Sequence, residues 1–379
     1  MKLQTLLKAA GITAIAFLLS YLVSAPFAAT LTSFFAPSDK TDFNMADLFC
    51  QIADGRPVRN LEDRIVMLDI GNSNRGEIVE QLSVLSLCSP KAVVLDINFE
   101  LPGDNDSVLL ETLSLCPSLV LPLGVGEKGG RFEITDRPFF YDSLRNVSYG
   151  VVNFPTSGSG TTIREYVESF PMVAGGSLPS LPMAAAAAGG YKVNMDWNSE
   201  EVRTALISYP SKELKTIGHD EMIERAEEFT DRIVLMGSKG EAGDVYPTPL
   251  RRGISGLEIH AYALSTILDG TELNRFPGYV ANAVAVAICY LMVLGAIGIT
   301  SGIKGLVLRL LQLGLLYLLV RTGYWLYVDK GIVADFSKAL LMIAFGLFAV
   351  DIWNGTVCLI DIIRKRISAM RKHSRQEKI

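Results

Sequence analysis

Residues 9–35 run AAGITAIAFLLSYLVSAPFAATLTSFF without one charged side chain. Lipid supplies no water to solvate a bare backbone, so a run this long points to a spanning helix, which needs about 20 apolar residues. A cleaved secretory leader is the rival reading. Its apolar core would be about 7–15 residues long and end at small residues, as VSAPFAA does. The length of the run favours an uncleaved anchor. Three further apolar runs occupy 280–300, 306–327 and 339–363, separated by SGIKG and VDKGIVADFSK. Residues 36–275 are left to fold in water, as one large domain or two small ones.

Basic residues orient the spans, because Lys and Arg flanks stay on the cytoplasmic side. Lys2 and Lys8 hold the N-terminus inside, and residues 364–379 carry seven Lys or Arg against one Glu. Four spans satisfy both ends. The loop with Lys304 is then cytoplasmic, and the loop with Asp329 and Asp335 lies outside, next to an aromatic belt at GYWLY, 323–327. The expected organisation is a cytoplasmic stub and anchor (1–35), a domain outside the cytoplasm (36–275), three spans (276–363) and a basic cytoplasmic tail (364–379). Residues 11–275 hold 21 basic and 35 acidic residues, a net charge of −14. That balance argues against nucleic acid as a partner of the domain, while the basic tail suits anionic lipid.

Charges inside apolar runs need partners. Arg309, Arg321 and Asp361 lie near span ends, within reach of the interface. Asp351 lies deeper. It is expected to pair with Arg309 or Arg321, or with a partner protein's helix.

From residue 64 the sequence alternates strand and helix. RIVMLDI (64–70), KAVVLDINF (91–99) and SLVLPL (118–123) are strand-like, and GEIVEQLSVLSLC (76–88) and DSVLLETLSLC (106–116) are helical between them. This alternation is the signature of βαβ units and a parallel sheet. Strands apolar on both faces are those sandwiched between helix layers. The expected fold is a Rossmann-like α/β domain with a mainly parallel sheet. GEKGGRFEI (126–134) reads as a hairpin or excursion, TSGSGTT (156–162) as a loop and LPMAAAAAGG (181–190) as a helix ended by glycine. DRIVLMG (231–237) is a late strand entering a Gly-rich loop, and GISGLEIHAYALSTIL (253–268) an amphipathic helix. The segments LSLCSPKAVVLDI and LSLCPSLVLPL repeat one helix–Cys–Pro–strand pattern. They place Cys88 and Cys116 at one rim, where a disulfide or two buried free thiols both fit; Cys50 is left over.

The run RIVLMGSKGEAGDVYPTPL, followed by GISGLEIHAYALSTIL, resembles the second type of CHASE domain, an extracellular sensory module of bacterial signalling proteins. The residues that carry the likeness are Gly237, Gly243–Asp244, Pro247–Thr248–Pro249 and the stretch Gly256 to Ala261. Asp69 at the end of the first strand, Asp96 with Pro102, Asp104 and Asp106 after the second, and LPSLPMAAAAA match further motifs. The likeness covers about 45–275 and the membrane helices that follow. Where the family often has a second acidic residue after its first strand, this chain has Asn72. Such modules usually precede a kinase or cyclase, and residues 364–379 leave no room for one. The resemblance therefore implies a sensor in a bacterial inner membrane that signals through a separate partner protein.

In open α/β sheets, ligands bind beyond the carboxyl ends of strands. The candidate ligand site is Asp69, Asp96, Asp104, Ser238, Asp244, Glu258 and His260. Asp69, Asp96 and Asp244 either gather round a divalent cation or cap loops by accepting backbone N–H groups. Gly237, Gly240 and Gly243 either cradle an anion or make a tight turn; no Gly-Lys-Ser/Thr phosphate motif is present. Glu258 and His260, two apart, do not share a helical face. No nucleophile motif and no cofactor motif stands out. The leading expectation is a receptor for a small molecule, ion or periplasmic protein. A scaffolding subunit of an envelope complex is the alternative, and a metal-dependent enzyme on Asp69, Asp96 and Asp244 comes third.

Overall fold

The computed structural model describes residues 3–35, 45–55, 63–155, 162–193, 199–240, 244–251, 253–297 and 303–376. The chain divides into two compact units: a helical unit made of its two ends, and an α/β unit that includes Asp47–Asn274.

In chain order, the helical unit opens with α1 (Leu3–Phe35) and is followed by α2 (Met45–Ile52). The α/β unit then runs β1 (Ile65–Asp69), α3 (Arg75–Leu87), β2 (Ala92–Asp96), α4 (Asp106–Leu115), β3 (Val120–Lys128), β4 (Arg131–Asp136) and β5 (Ser148–Val151). It continues with β6 (Glu165–Pro171), β7 (Ser177–Pro179), α5 (Leu181–Ala188), β8 (Arg203–Leu206), β9 (Thr216–Gly218) and β10 (Ile233–Gly237). It closes with β11 (Val245–Tyr246), β12 (Ile254–Ser255) and α6 (Gly256–Asp269). The helices α7 (Gly278–Ala296), α8 (Ile303–Lys330) and α9 (Ser337–Gln376) complete the helical unit.

The main sheet runs β5–β3–β2–β10–β1–β9, parallel throughout, with β4 antiparallel to the far end of β3. Val, Ile, Leu and Met fill both faces of β1, β2 and β10, and all of these side chains are buried. Val66, Leu68, Val93, Leu95, Val234 and Met236 meet Ile78, Leu82 and Leu85 of α3 and Leu109 and Leu113 of α4. Their alternates pack on the opposite face, where α5 and α6 lie. Each fully buried aliphatic side chain of this kind stabilises the fold by about 1.5–3 kcal/mol. The mainly parallel α/β architecture agrees with the sequence reading. The strand order does not follow the dinucleotide-binding pattern, in which the first two strands are neighbours. Here β10 lies between β1 and β2, in register with both from Ile233 to Gly237.

Local chemistry fixes the element ends. Asn74 and Glu77 form a capping box that starts α3, and Ser255 and Glu258 form another at α6. Gly129 and Gly130, at φ of 63° and 80°, close the β3–β4 hairpin, a turn that needs positive φ at both central positions. The stretch 126–134 is thus a hairpin, and α5 ends at Gly189 as the Ala-Gly-Gly sequence suggests. Residues 156–161 of the expected loop lie outside the described residues.

Cys88 and Cys116 are free thiols, so the bridge that their shared pattern allowed is not formed. Each caps the C-terminus of its own helix. The Cys88 thiol turns back to the Val84 carbonyl at 3.2 Å, while Cys116 is buried and faces the Leu82 carbonyl at 4.0 Å.

Among the described residues of the helical unit, four helices are long and apolar enough to cross a membrane: Leu3–Leu22, Gly278–Ala296, Lys304–Lys330 and Ser337–Ile367. Small residues at helical spacing line the contacts. Ala281, Ala285, Cys289 and Val293 of α7 pack with Ala9, Ile12 and Ala16 of α1 and with α9. At Gly346 of α9 a Cβ would come within 2.7 Å of Met292 and 3.1 Å of Cys289, so glycine permits that approach. Gln312 of α8 donates to the Ile343 and Ala344 carbonyls of α9 at 2.8 and 2.9 Å. Arg309 donates to Asp351 at 2.5 Å, the pair expected from the sequence; Arg321 instead sits over the Tyr324 ring.

Candidate functional site

A cleft of about 590 Å³ opens at the carboxyl ends of β2, β5 and β10, beside the middle of β3. Asp96 is the last residue of β2, Ser238 follows β10, and Val152 to Phe154 follow β5. Tyr246 comes from β11, and Gly256 and His260 stand one turn apart on α6, four residues being close to a full turn.

Four of the expected residues meet here: Asp96, Ser238, Asp244 and His260. Three do not. Asp69 Oδ1 accepts the backbone N–H of Gly71 at 3.0 Å and of Lys239 at 3.1 Å. It braces the loop after β10, and each such bond to a charged acceptor is worth about 1.5–3 kcal/mol. Asp104 is exposed in the turn before α4, away from the cleft lining. Glu258 caps α6 through Ser255 and pairs with Lys239 at 3.2 Å and Arg251 at 3.6 Å. Among the described residues, no three His, Cys, Asp or Glu side chains come together as a metal site. The convergence of Asp69, Asp96 and Asp244 is therefore not formed, because Asp69 is committed to backbone. Of the three loop glycines, Gly237 packs against Asp96 and Gly240 stands open, while Gly243 lies outside the described residues.

Asp244 sits at the N-terminus of α6. Gly256 N–H donates to its Oδ2 at 3.2 Å and to its carbonyl at 3.1 Å. A Cβ on Gly256 would come within 2.6 Å of that carboxylate, so glycine is required for the contact. The positive end of the helix dipole favours the charge there. Burial, then Asp244, then Asp96 push the Tyr246 phenol up to about 12, so it stays a neutral donor beside both carboxylates.

His260 is only 4% exposed. Burial lowers its pKa to about 3, outweighing a hydrogen bond to the Val152 backbone, so the ring is neutral. It stacks on Phe154 at 4.5 Å and 24°, and Phe154 meets Tyr246 edge-on at 5.2 Å. The three rings form one wall of the cleft.

Glu100, Asp136, Asn153, Phe154 and Tyr246 belong to the site and were not singled out from the sequence. Asp136 is placed by the hairpin register, which sets it opposite Gly124 with a bulge at Gly124/Val125. A side chain at Gly124 would strike Asp136 at 2.5 Å, so the bare backbone makes room for the carboxylate. Asn153 Oδ1 accepts the Val125 N–H at 2.8 Å and ties the β5 exit to β3.

The CHASE2 domain family matches residues 27–299. The chain belongs to that family. CHASE2 is a sensory extracellular domain rather than a catalytic one. The match takes in the whole α/β unit and extends into α7. No curated protein and no solved structure matches the chain. With four helices of spanning length among the described residues and a CHASE2 domain, the chain is a membrane protein of sensory type.

Proposed function

We propose that this CHASE2 protein is a bacterial inner-membrane sensor whose α/β unit lies on the periplasmic side and takes a small ligand in the cleft. One observation carries the reading: the cleft opens at the carboxyl ends of parallel strands, where α/β sheets hold ligands, in a chain of a sensory family. Asp96, Ser238, Asp244 and His260 contact the ligand, and Asp69 and Glu258 hold the loops behind them. Lys2, Lys8 and the basic run after Ile363 support cytoplasmic placement of both termini.

A ligand against Gly256 and His260 bears directly on α6. That helix ends at Asp269 and α7 begins at Gly278, so eight residues connect a cleft-lining helix to a membrane helix. Output passes to a separate membrane partner. Support comes from α8, whose Leu306, Leu310, Leu313 and Tyr317 are uncovered, and from the Arg309–Asp351 pair, whose side chains are 54% and 57% exposed. Lipid solvates such a pair poorly, and a polar partner helix would cover it.

The test uses the full-length protein in detergent. A ligand that binds only the folded state raises the melting temperature with its concentration. We expect a saturable rise with one class of small solutes, abolished by Ser238→Trp, which fills the cleft. Reporter fusions in the Lys304 and Asp335 loops should report opposite sides of the membrane. A co-purifying protein with no solute effect would instead favour the scaffolding role.

A further inference from the structure

We propose that the ligand of this cleft is a small organic cation, an amine held by carboxylates against an aromatic wall. The proposal rests on the sensor reading above and names the chemistry of its ligand.

The first observation is charge. Glu100 and Asp136 line the cleft, are exposed to solvent, and make no ion pair among the described residues. Glu100 accepts from the Asn98 amide at 2.8 Å and Asp136 from the Thr135 hydroxyl at 2.9 Å. Asp96 and Asp244 add two more carboxylates to the same cleft. No lysine or arginine lines it among the described residues. Lys239 and Arg251, on loops beside it, are engaged elsewhere: Lys239 pairs with Glu258, and Arg251 with Glu213 and Glu258. A concave surface lined by one sign of charge concentrates ligands of the opposite sign.

The second observation is independent of the carboxylates. His260 is buried in the cleft wall, and a neutral imidazole has one donor and one acceptor. Val152 is the one backbone group that bears on the ring, and among the described residues the ring's remaining hydrogen-bonding capacity is not taken up by another side chain. An ammonium N–H can meet that capacity. An anion would add its charge to a cleft that already holds four carboxylates.

Two features separate an organic cation from a metal ion. The carboxylates are spread around the cleft and do not gather as a metal site among the described residues. Phe154 and Tyr246 line the cleft, and aromatic rings attract alkylammonium groups by about 0.5–2 kcal/mol. A volume of about 590 Å³ also suits a molecule of several heavy atoms.

Calorimetric titration of the full-length protein in detergent, at low ionic strength, tests this. The probes are putrescine, choline, magnesium chloride, succinate and glycerol. We expect saturable binding of putrescine or choline, weakened at least tenfold in the double variant Glu100→Gln/Asp136→Asn and lost in Ser238→Trp. Both carboxylates are exposed, so the double variant should melt as the parent does. Binding of succinate or glycerol that Ser238→Trp abolishes, without amine binding, would overturn the ligand class and leave the sensor site standing. Magnesium binding that is lost in the double variant would replace the amine by a metal. Amine binding that survives both variants would place it outside the cleft and overturn the proposal. Silence from all five probes would overturn the cationic assignment, while a different solute shifting the melting temperature would still uphold the sensor reading.

Discussion

Arg309 Nη2 donates to Asp351 Oδ2 at 2.5 Å, joining α8 to α9 by a full charge pair within apolar helices. Arg309 lies six residues past the start of α8, about 9 Å along the axis at about 1.5 Å per residue. At that depth an unpaired arginine costs up to roughly 2.5–3.5 kcal/mol on insertion scales. Asp351→Asn should therefore lower both membrane accumulation and melting temperature in detergent. The double variant Arg309→Leu/Asp351→Leu should recover most of the loss. Equal melting of Asp351→Asn and parent would show that the pair contributes nothing to assembly.

Gly256 is the pivot between Asp244 and α6. Gly256→Ala forces a Cβ to within 2.6 Å of the carboxylate, so the loop or the helix start must shift. We expect a loss of about 1–3 kcal/mol in stability, the usual range for an overpacked site, and weaker ligand binding. The control Gly278→Ala, at a position open to substitution, should leave melting within a degree of the parent.

His260 should imprint a pH slope on stability. Its folded pKa, about 3, lies below the value near 6.5 that it takes when unfolded. The unfolded state therefore binds the extra proton. The neutral ring's contribution is fully present above about pH 6.5 and is lost progressively as pH falls toward 3. The slope approaches about 1.4 kcal/mol per pH unit in that window. Chemical denaturation midpoints at pH 7, 6 and 5 should show a steeper fall in the parent than in His260→Leu. Parallel curves for the two proteins would remove the histidine from the account.

The thiols offer a chemical check. Burial raises Cys116 to about 11 and pushes Cys88 up as well, so both react slowly in the folded protein. Denaturation without reductant should make both alkylate fully. Mass spectrometry showing a Cys88–Cys116 bond in protein isolated under non-reducing conditions would contradict the free-thiol arrangement.

Much of this molecule was legible before any coordinates. Period and composition located β1, α3, β2, α4 and β3, because doubly buried strands are written as unbroken Val-Ile-Leu runs. The pairing of Asp351 followed from the cost of a charge in lipid. The place of β10 was not legible, since parallel strands of similar composition give no sign of which two they will separate. For Asp69 the sequence left open a ligand role or loop capping, and its acceptance of backbone N–H groups was decided by the path of a loop 170 residues away. Asp136 and Tyr246 escaped notice for the opposite reason. They reach the cleft through hairpin register and a two-residue strand, and neither leaves a motif.

The interposed strand also dictates when this domain can exist. Ile65 and Ile233 are adjacent in the sheet and 168 residues apart in the chain. Until residue 237 has emerged, β1 and β2 each carry an unfilled edge and have nothing between them to pair with. Assembly must wait for nearly the whole α/β unit to be synthesised, and such non-local pairing folds slowly. Any truncation upstream of β10 would yield not a smaller domain but two open-edged fragments prone to stick to other chains.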